Sequence, residues 1–248
     1  MRNTELEVKL AIEKHFSKES PEILQSFDLS AVSEYLQFLE SNNEVGGFFS
    51  KGDSEKILER HLLECLYFAF RVSKVLEINP KTTILDVGTG PGLPGVLFHY
   101  LSSSPQVSLL DSQKKRLSLL ETWMQTRNEK QKPKFYYERI EEFPKKFSVV
   151  ITRSVIQYPW SIEVLSNSVA SKGHYVPFLG KQIYQRDDDI LKYSGFREEK
   201  TEILEELAFL GMRHIKYLKK VSNPKNGFPR PWKKVLEEIQ EYGKNRID

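Results

Sequence analysis

Ile84-Leu85-Asp86-Val87-Gly88-Thr89-Gly90-Pro91-Gly92-Leu93-Pro94-Gly95 reads as a buried apolar strand, a glycine-rich turn and the start of a helix. Glycines in such a turn let the backbone bend sharply and let a ligand approach main-chain N–H groups with no side chain in the way. The stretch lacks the GxxxxGK[ST] spacing of a phosphate-binding loop, so nucleotide triphosphate hydrolysis has little support. Gly90, Gly92 and Gly95 do fit a bare GxGxxG, but Asp86 closes the strand just before the loop. A carboxylate there repels a pyrophosphate and welcomes a cation, which suits the sulfonium and ammonium groups of S-adenosylmethionine better than a nicotinamide dinucleotide.

Outward from the loop, short apolar runs alternate with helical spacing. Thr82–Val87, Val107–Asp111, Phe135–Glu138, Phe147–Thr152 and Tyr175–Leu179 are expected as strands, with helices over Leu93–Leu101 and Lys114–Gln125. This alternation predicts a mostly parallel sheet with helices on both faces. Asp111 ends the second strand, where a carboxylate can bond the ribose hydroxyls of an adenosine; its competing reading is the cap of the helix that follows. Arg139-Ile140-Glu141-Glu142-Phe143 forms a third polar turn after the third strand. Three such turns at the C-terminal ends of consecutive parallel strands line one crevice.

The first eighty residues read as helices. Apolar residues recur at Leu29, Val32, Leu36 and Leu39, then at Leu58, Leu62, Leu66, Ala69, Val72 and Leu76. Val45-Gly46-Gly47-Phe48-Phe49 breaks the pattern, and Ser54 among Asp53 and Glu55 predicts a capped start to the second helix over Ile57–Leu76. Near the other end, Ile203–Leu210 and Met212–Val221, divided by Gly211, predict an antiparallel pair. The expected organisation is a helical cap over 1–80, a nucleotide-type domain over 81–236 and a tail over 237–248.

The chain of 248 residues, with 39% hydrophobic and 29% charged residues and a mean hydropathy of −0.48, has the balance of a soluble globular protein. No run approaches the roughly 18 apolar residues of a membrane span, and no signal-peptide core opens the chain, so a cytoplasmic monomer is expected. Cys65 stands alone and the five histidines show no ligand spacing, so no metal site is expected. Cys65 also sits in a helical apolar repeat, which argues against a catalytic cysteine. Leu207–Leu236 holds eight basic residues and no acid while the net charge of the whole chain is +3. Such a segment either meets a polyanion or is a solvated basic face.

The glycine loop, Leu109-Leu110-Asp111-Ser112, Lys115-Arg116, Arg139-Ile140-Glu141-Glu142-Phe143 and Ile151-Thr152-Arg153 together closely resemble the RsmG family, also called glucose-inhibited division protein B (GidB). The likeness spans about 44–234, with Arg60-His61 similar to the family's Arg-His segment and Phe228-Pro229-Arg230 to its Tyr-Pro-Arg. It implies a class I S-adenosylmethionine-dependent methyltransferase (Rossmann-like) sheet, mostly parallel with an antiparallel C-terminal pair. It also implies methylation of N7 of a guanine in 16S ribosomal RNA, with the RNA or the small ribosomal subunit as partner.

Carried over by position, Gly88 and Leu93 join Asp86, Gly90 and Asp111 at the cofactor, Ile140 and Glu141 frame its adenine, and Arg153 closes the site. Arg60, His61, Lys181, Arg213, Arg230 and Lys233 become candidates for the RNA phosphates, and Phe228 and Trp232 for base stacking or core sealing. Guanine N7 is already nucleophilic at neutral pH, so no general base is expected. The chain departs from the family at Val45–Phe49, at Glu64-Cys65-Leu66, at Gly180-Lys181 and at Phe147-Ser148, away from the cofactor loop. Other open readings are methylation of a small molecule or protein, a cofactor-binding but inactive RNA-binding protein, and a dehydrogenase.

Overall fold

The computed structural model describes residues 3–180 and 187–244. In chain order the first half holds α1 (Thr4–His15), α2 (Ser20–Ser26), α3 (Leu29–Gly46), a π-helical segment Leu58–Leu63 running into α4 (Glu64–Val75), β1 (Thr83–Val87), α5 (Gly95–His99), β2 (Gln106–Leu110) and α6 (Lys114–Thr126). The second half holds β3 (Lys134–Tyr136), β4 (Phe147–Arg153), α7 (Trp160–Val164), β5 (Val169–Leu179), α8 (Asp188–Ser194), β6 (Phe196–Ile203), β7 (His214–Lys220) and α9 (Trp232–Lys244).

The strands form one seven-stranded sheet in the order β3-β2-β1-β4-β5-β7-β6. The first five run parallel and β7 pairs antiparallel with both β5 and β6. Period-2 side-chain direction divides each strand between two cores. Ile84, Val149 and Ile151 join a core with the residues of α1 to α6, whereas Leu85, Val87 and Val150 face Ile162, Leu191 and Val235 on the other side. The N-terminal helices therefore share their core with α5 and α6. Strand order reverses between β1 and β4, and the C-terminal ends of these strands flank a crevice of the kind where open α/β sheets bind ligands.

The expected strands appear near their predicted places, with β5 beginning six residues earlier than Tyr175. The terminal antiparallel pair is present, but its first member is Phe196–Ile203. The predicted strand Ile203–Leu210 is instead mostly a 3-10 turn over Glu205–Leu210. Leu204, Leu207 and Leu210 recur every third residue, which fits the three-residue turn of a 3-10 helix, not the alternation of a strand. The true edge strand, FREEKTEI, carries five charged residues among its eight, as exposed edges do, and so lacked the apolar run of a buried strand.

The predicted helix Ile57–Leu76 is present but opens as π-helix, and its expected Ser54 cap is absent: the Ser54 hydroxyl donates to the Lys51 carbonyl at 2.8 Å. α9 runs through the Leu236/Glu237 point at which a tail was expected to begin.

Candidate functional site

The glycine loop is held from three sides. Asp86, fully buried at the end of β1, accepts from the Thr89 hydroxyl at 2.6 Å and from the Gly95 N–H at 2.8 Å, closing the turn upon itself. Burial raises its pKa to about 6 against those two bonds, which favour the carboxylate. The Tyr35 hydroxyl of α3 donates to the Pro91 carbonyl at 3.1 Å, anchoring the loop to the N-terminal helices. Asp111 accepts from the Gly90 N–H and, through its other oxygen, from the Gln113 N–H, both at 2.8 Å. Each carboxylate oxygen keeps lone-pair capacity for a ligand hydroxyl.

Above the loop lies a crevice of about 590 Å³, within the size range of small-molecule sites. It gathers Gly88, Gly90, Leu93, Asp111, Ile140, Glu141 and Arg153 from the ends of four parallel strands, together with His61. Gly88 sits at φ +67°, and a Cβ there would strike Val155. Gly90 sits at φ +57° with nothing within 4 Å of an added Cβ, so its backbone faces open space. Asp111, Glu138, Glu141 and Asp53 make the lining rich in carboxylates. These features fit S-adenosylmethionine, which carries a cationic sulfonium and ammonium, one carboxylate and no phosphate: Asp111 could hold the ribose hydroxyls, Ile140 and Glu141 the adenine, and the bare glycine backbone the methionine end.

Asp86 does not line the crevice. It was expected to meet the ligand's cation directly; it lies beneath the loop and shapes it, because both bonds to Oδ2 come from the loop itself. Arg153 does line the crevice and also donates to Glu64 of α4 at 3.0 Å. The same carboxylate pairs with Arg213, so Arg213 stands behind the site, joined to it through Glu64.

Acids from distant parts of the chain pair with three of the eight basic residues of the acid-free segment, Arg213, Lys216 and Arg230, so its charge is partly compensated. Lys216 is buried and donates to Glu198 at 2.6 Å and to Asp187 at 3.2 Å. Lys220 is buried and donates to the Ser166 and Ser194 carbonyls. Arg230 grips the fully buried Glu163 through its backbone N–H and guanidinium and also pairs with Glu238. Lys233 is exposed at the start of α9, and Lys181 lies outside the described residues.

Arg60 is exposed at the rim and paired with Asp53. His61 stacks on Phe49 with ring centroids 4.1 Å apart and planes at 15°. Burial, with Arg153 nearby, lowers the His61 pKa to about 4, so the imidazole is neutral. Sequence reasoning missed Phe49, Asp53 and Glu64 as parts of the site. In sequence Phe49 belongs to a break between helices and Glu64 to a departure from the family pattern; that departure was the signal available for Glu64.

A family model described as rRNA small subunit methyltransferase G matches residues 28–205. The chain is 44% identical over 244 residues to the ribosomal RNA small subunit methyltransferase G of Leptospira borgpetersenii serovar Hardjo-bovis (strain JB197), covering 97% of this chain and 96% of that protein. It is 45% identical over 240 residues to the protein of that name from Leptospira interrogans serogroup Icterohaemorrhagiae serovar copenhageni (strain Fiocruz L1-130), covering 96% and 94%. Among solved structures, magnesium protoporphyrin IX methyltransferase from Synechocystis PCC 6803 with bound SAM aligns with a TM-score of 0.55 at 16% identity, over 77% of this chain and 97% of that one. The [4+2]-cyclase SpnF aligns with a TM-score of 0.54 at 12% identity, over 80% and 97%. A cyclase beside a methyltransferase shows that the fold alone does not decide the reaction.

Proposed function

The chain belongs to the rRNA small subunit methyltransferase G family, and from that premise we propose that it is a methyltransferase carrying a methyl group from S-adenosylmethionine to N7 of a guanine in 16S ribosomal RNA. The observation that carries this reading is the single crevice joining the glycine loop and Asp111 to Arg153, His61 and Phe49. One part of it suits a nucleoside cofactor and another offers an aromatic and cationic wall to a base.

S-adenosylmethionine, when bound, supplies an electrophilic methyl group on a positively charged sulfur. Its C–S bond would break as the guanine N7 lone pair took the methyl group, the positive charge would pass from sulfur to the purine, and no proton would need to move. The chain therefore has to align, not to deprotonate. Holding two reactants in line can supply roughly 7–11 kcal/mol of the barrier. Asp111, Ile140 and Glu141 hold the nucleoside half, and the loop shaped by Asp86 leaves Gly88 and Gly90 bare beside the methionine half. The lining carboxylates favour the purine as it becomes cationic. Cys65 takes no part: it is fully buried and its thiol is pushed up to about 12.

The small ribosomal subunit is the proposed partner and the cytoplasm the proposed place of action. Among the described residues no helix is long and apolar enough to cross a membrane. The test is transfer of labelled methyl from S-adenosylmethionine to small ribosomal subunits and to their extracted RNA, with mass mapping of the product nucleotide. Label as 7-methylguanine on either substrate supports the reading. Cofactor binding with no label on RNA overturns it in favour of another acceptor or an inactive binder.

A further inference from the structure

Phe49 and His61 stack as a pair in the wall of the same crevice that holds Gly88, Asp111 and Arg153. The loop that carries Phe49 is fixed on both sides. Gly47 turns out of α3 in the left-handed region, and its N–H donates to the Asn43 carbonyl at 2.8 Å. The Phe49 N–H donates to the Asn43 side chain at 2.8 Å. Beyond it, the Ser50 hydroxyl donates to Asp53 at 2.8 Å, and Asp53 is paired with Arg60, the residue before His61. Phe48, next to Phe49, is buried and packs on Phe38. The two rings thus come from separate elements that are tied to one another, and the second lies in a π-helical segment, a geometry often found at functional sites.

His61 has a further property. Both ring nitrogens are shut away from solvent and neither has a hydrogen-bond partner among the described residues. A buried polar group left unpaired is uncommon and calls for an explanation. Stacking on Phe49, not hydrogen bonding, holds this ring, which makes it a fixed backing for the Phe49 face. Aromatic side chains that stack on an unpaired base are the usual way a protein holds a splayed RNA nucleotide.

Resting on the function proposed above, we infer that the Phe49–His61 pair is the platform for the acceptor guanine, with Phe49 supplying the stacking surface, the His61 ring backing Phe49 from the far side, and Asp53–Arg60 the tie that keeps the two rings together. Arg60 then acts as a positioning residue, which its ion pair already requires, and not as a phosphate contact. Phe49 lies where the sequence departs from the family's usual Asn-Leu-Thr, so this platform is a property of this chain's own residues.

The experiment measures S-adenosylmethionine binding at equilibrium and steady-state methyl transfer to small ribosomal subunits for wild type, Phe49→Ala, Phe49→Tyr and His61→Gln. Losing one base stack should raise KM for the subunit in Phe49→Ala by about tenfold or more, with the cofactor dissociation constant unchanged. Phe49→Tyr should restore KM. His61→Gln, which removes the ring behind Phe49 but leaves Phe49 itself, should raise KM by less than Phe49→Ala. Wild-type KM and kcat in Phe49→Ala would overturn the inference, and so would a loss of cofactor affinity that accounts for the defect. If wild type binds cofactor but labels no RNA, the functional reading fails first and takes this inference with it.

Discussion

The carboxylate of Glu64 accepts from the Arg153 guanidinium at 3.0 Å and pairs with Arg213 through its other oxygen, binding α4 to the ends of β4 and β7 beside the crevice. Glu64 is buried and Arg153 nearly so. The Arg153 guanidinium stays charged, its pKa raised by the Cys65 and Glu64 groups against the effect of burial. An acid in such a place fixes where the arginine of the crevice points.

Glu64→Gln should therefore unfold more easily and methylate less. Removing one partner of a buried pair leaves the other charge uncompensated and costs about 3–5 kcal/mol. Urea unfolding of wild type and variant measures the first effect, and initial rates of methyl transfer measure the second. Glu64→Asp, which keeps the charge, should recover most of the stability. A Glu64→Gln protein as stable as wild type would show that the Arg153 pairing is not a structural tie.

Asp86 predicts a pH signature. Unfolded, this carboxyl ionises near 3.8; folded, burial raises it to about 6. Between those values the folded state binds the extra proton, so this group's contribution to stability is largest below pH 4 and falls as pH rises through 6. The whole effect is about 3 kcal/mol at most. Asp86→Asn keeps an acceptor for Thr89 and Gly95 and has no charge to bury. The difference in unfolding free energy between Asp86→Asn and wild type should thus move in the variant's favour between pH 4 and pH 7. A difference that stays flat over that range would mean Asp86 is ionised with an ordinary pKa.

Gly88 tests the loop itself. With φ at +67°, any side chain is strained there, and a Cβ would lie 1.7 Å from a Val155 methyl carbon. Gly88→Ala should cost about 1 kcal/mol or more of backbone strain. It should also push the Ser154–Ile156 turn out of the crevice wall and weaken S-adenosylmethionine binding by about tenfold or more. Calorimetric titration with the cofactor reads this directly. Gly90→Ala, at φ +57° but with open space around it, should show the backbone strain of about 1 kcal/mol without the clash against Val155.

What the sequence disclosed follows from how local each signal is. The glycine loop is a contiguous string whose conformational demands are met by its own residues, so β1, the loop and the parallel strands were legible. The position of Asp111 just after β2 was readable for the same reason, because strand ends announce themselves by apolar runs that stop. Asp86 was placed in the right strand but assigned the wrong neighbour, since nothing local says whether a strand-end acid faces the ligand or the turn beneath it. The basic segment misled because charge along a chain does not reveal pairing across it: Glu163 lies 67 residues from Arg230, and Glu64 lies 149 from Arg213. The Phe49–His61 stack was hidden likewise, its two rings belonging to different elements joined only by folding.

Arg230 separates the two readings of that basic segment most sharply. From sequence it is an RNA-phosphate candidate; in the fold it donates through its backbone N–H at 2.6 Å and its guanidinium at 2.8 Å to Glu163, which is fully buried in α7, and it pairs with Glu238 of α9. Its structural task is to hold α9 against α7, where Trp160 also donates to Glu238 at 3.1 Å and packs on Tyr242. Arg230→Met leaves Glu163 buried and unpaired, so it should lose about 3–5 kcal/mol, and adding Glu163→Leu to it should restore much of that loss. A phosphate contact makes a different prediction: removing it lowers the salt dependence of RNA binding by about one in log–log slope. The slope for small-subunit RNA should be the same for wild type and for the Arg230→Met/Glu163→Leu double variant, because an arginine held by two carboxylates has no charge left to spend on phosphate. A slope reduced by about one in the stable double variant would return Arg230 to the RNA interface.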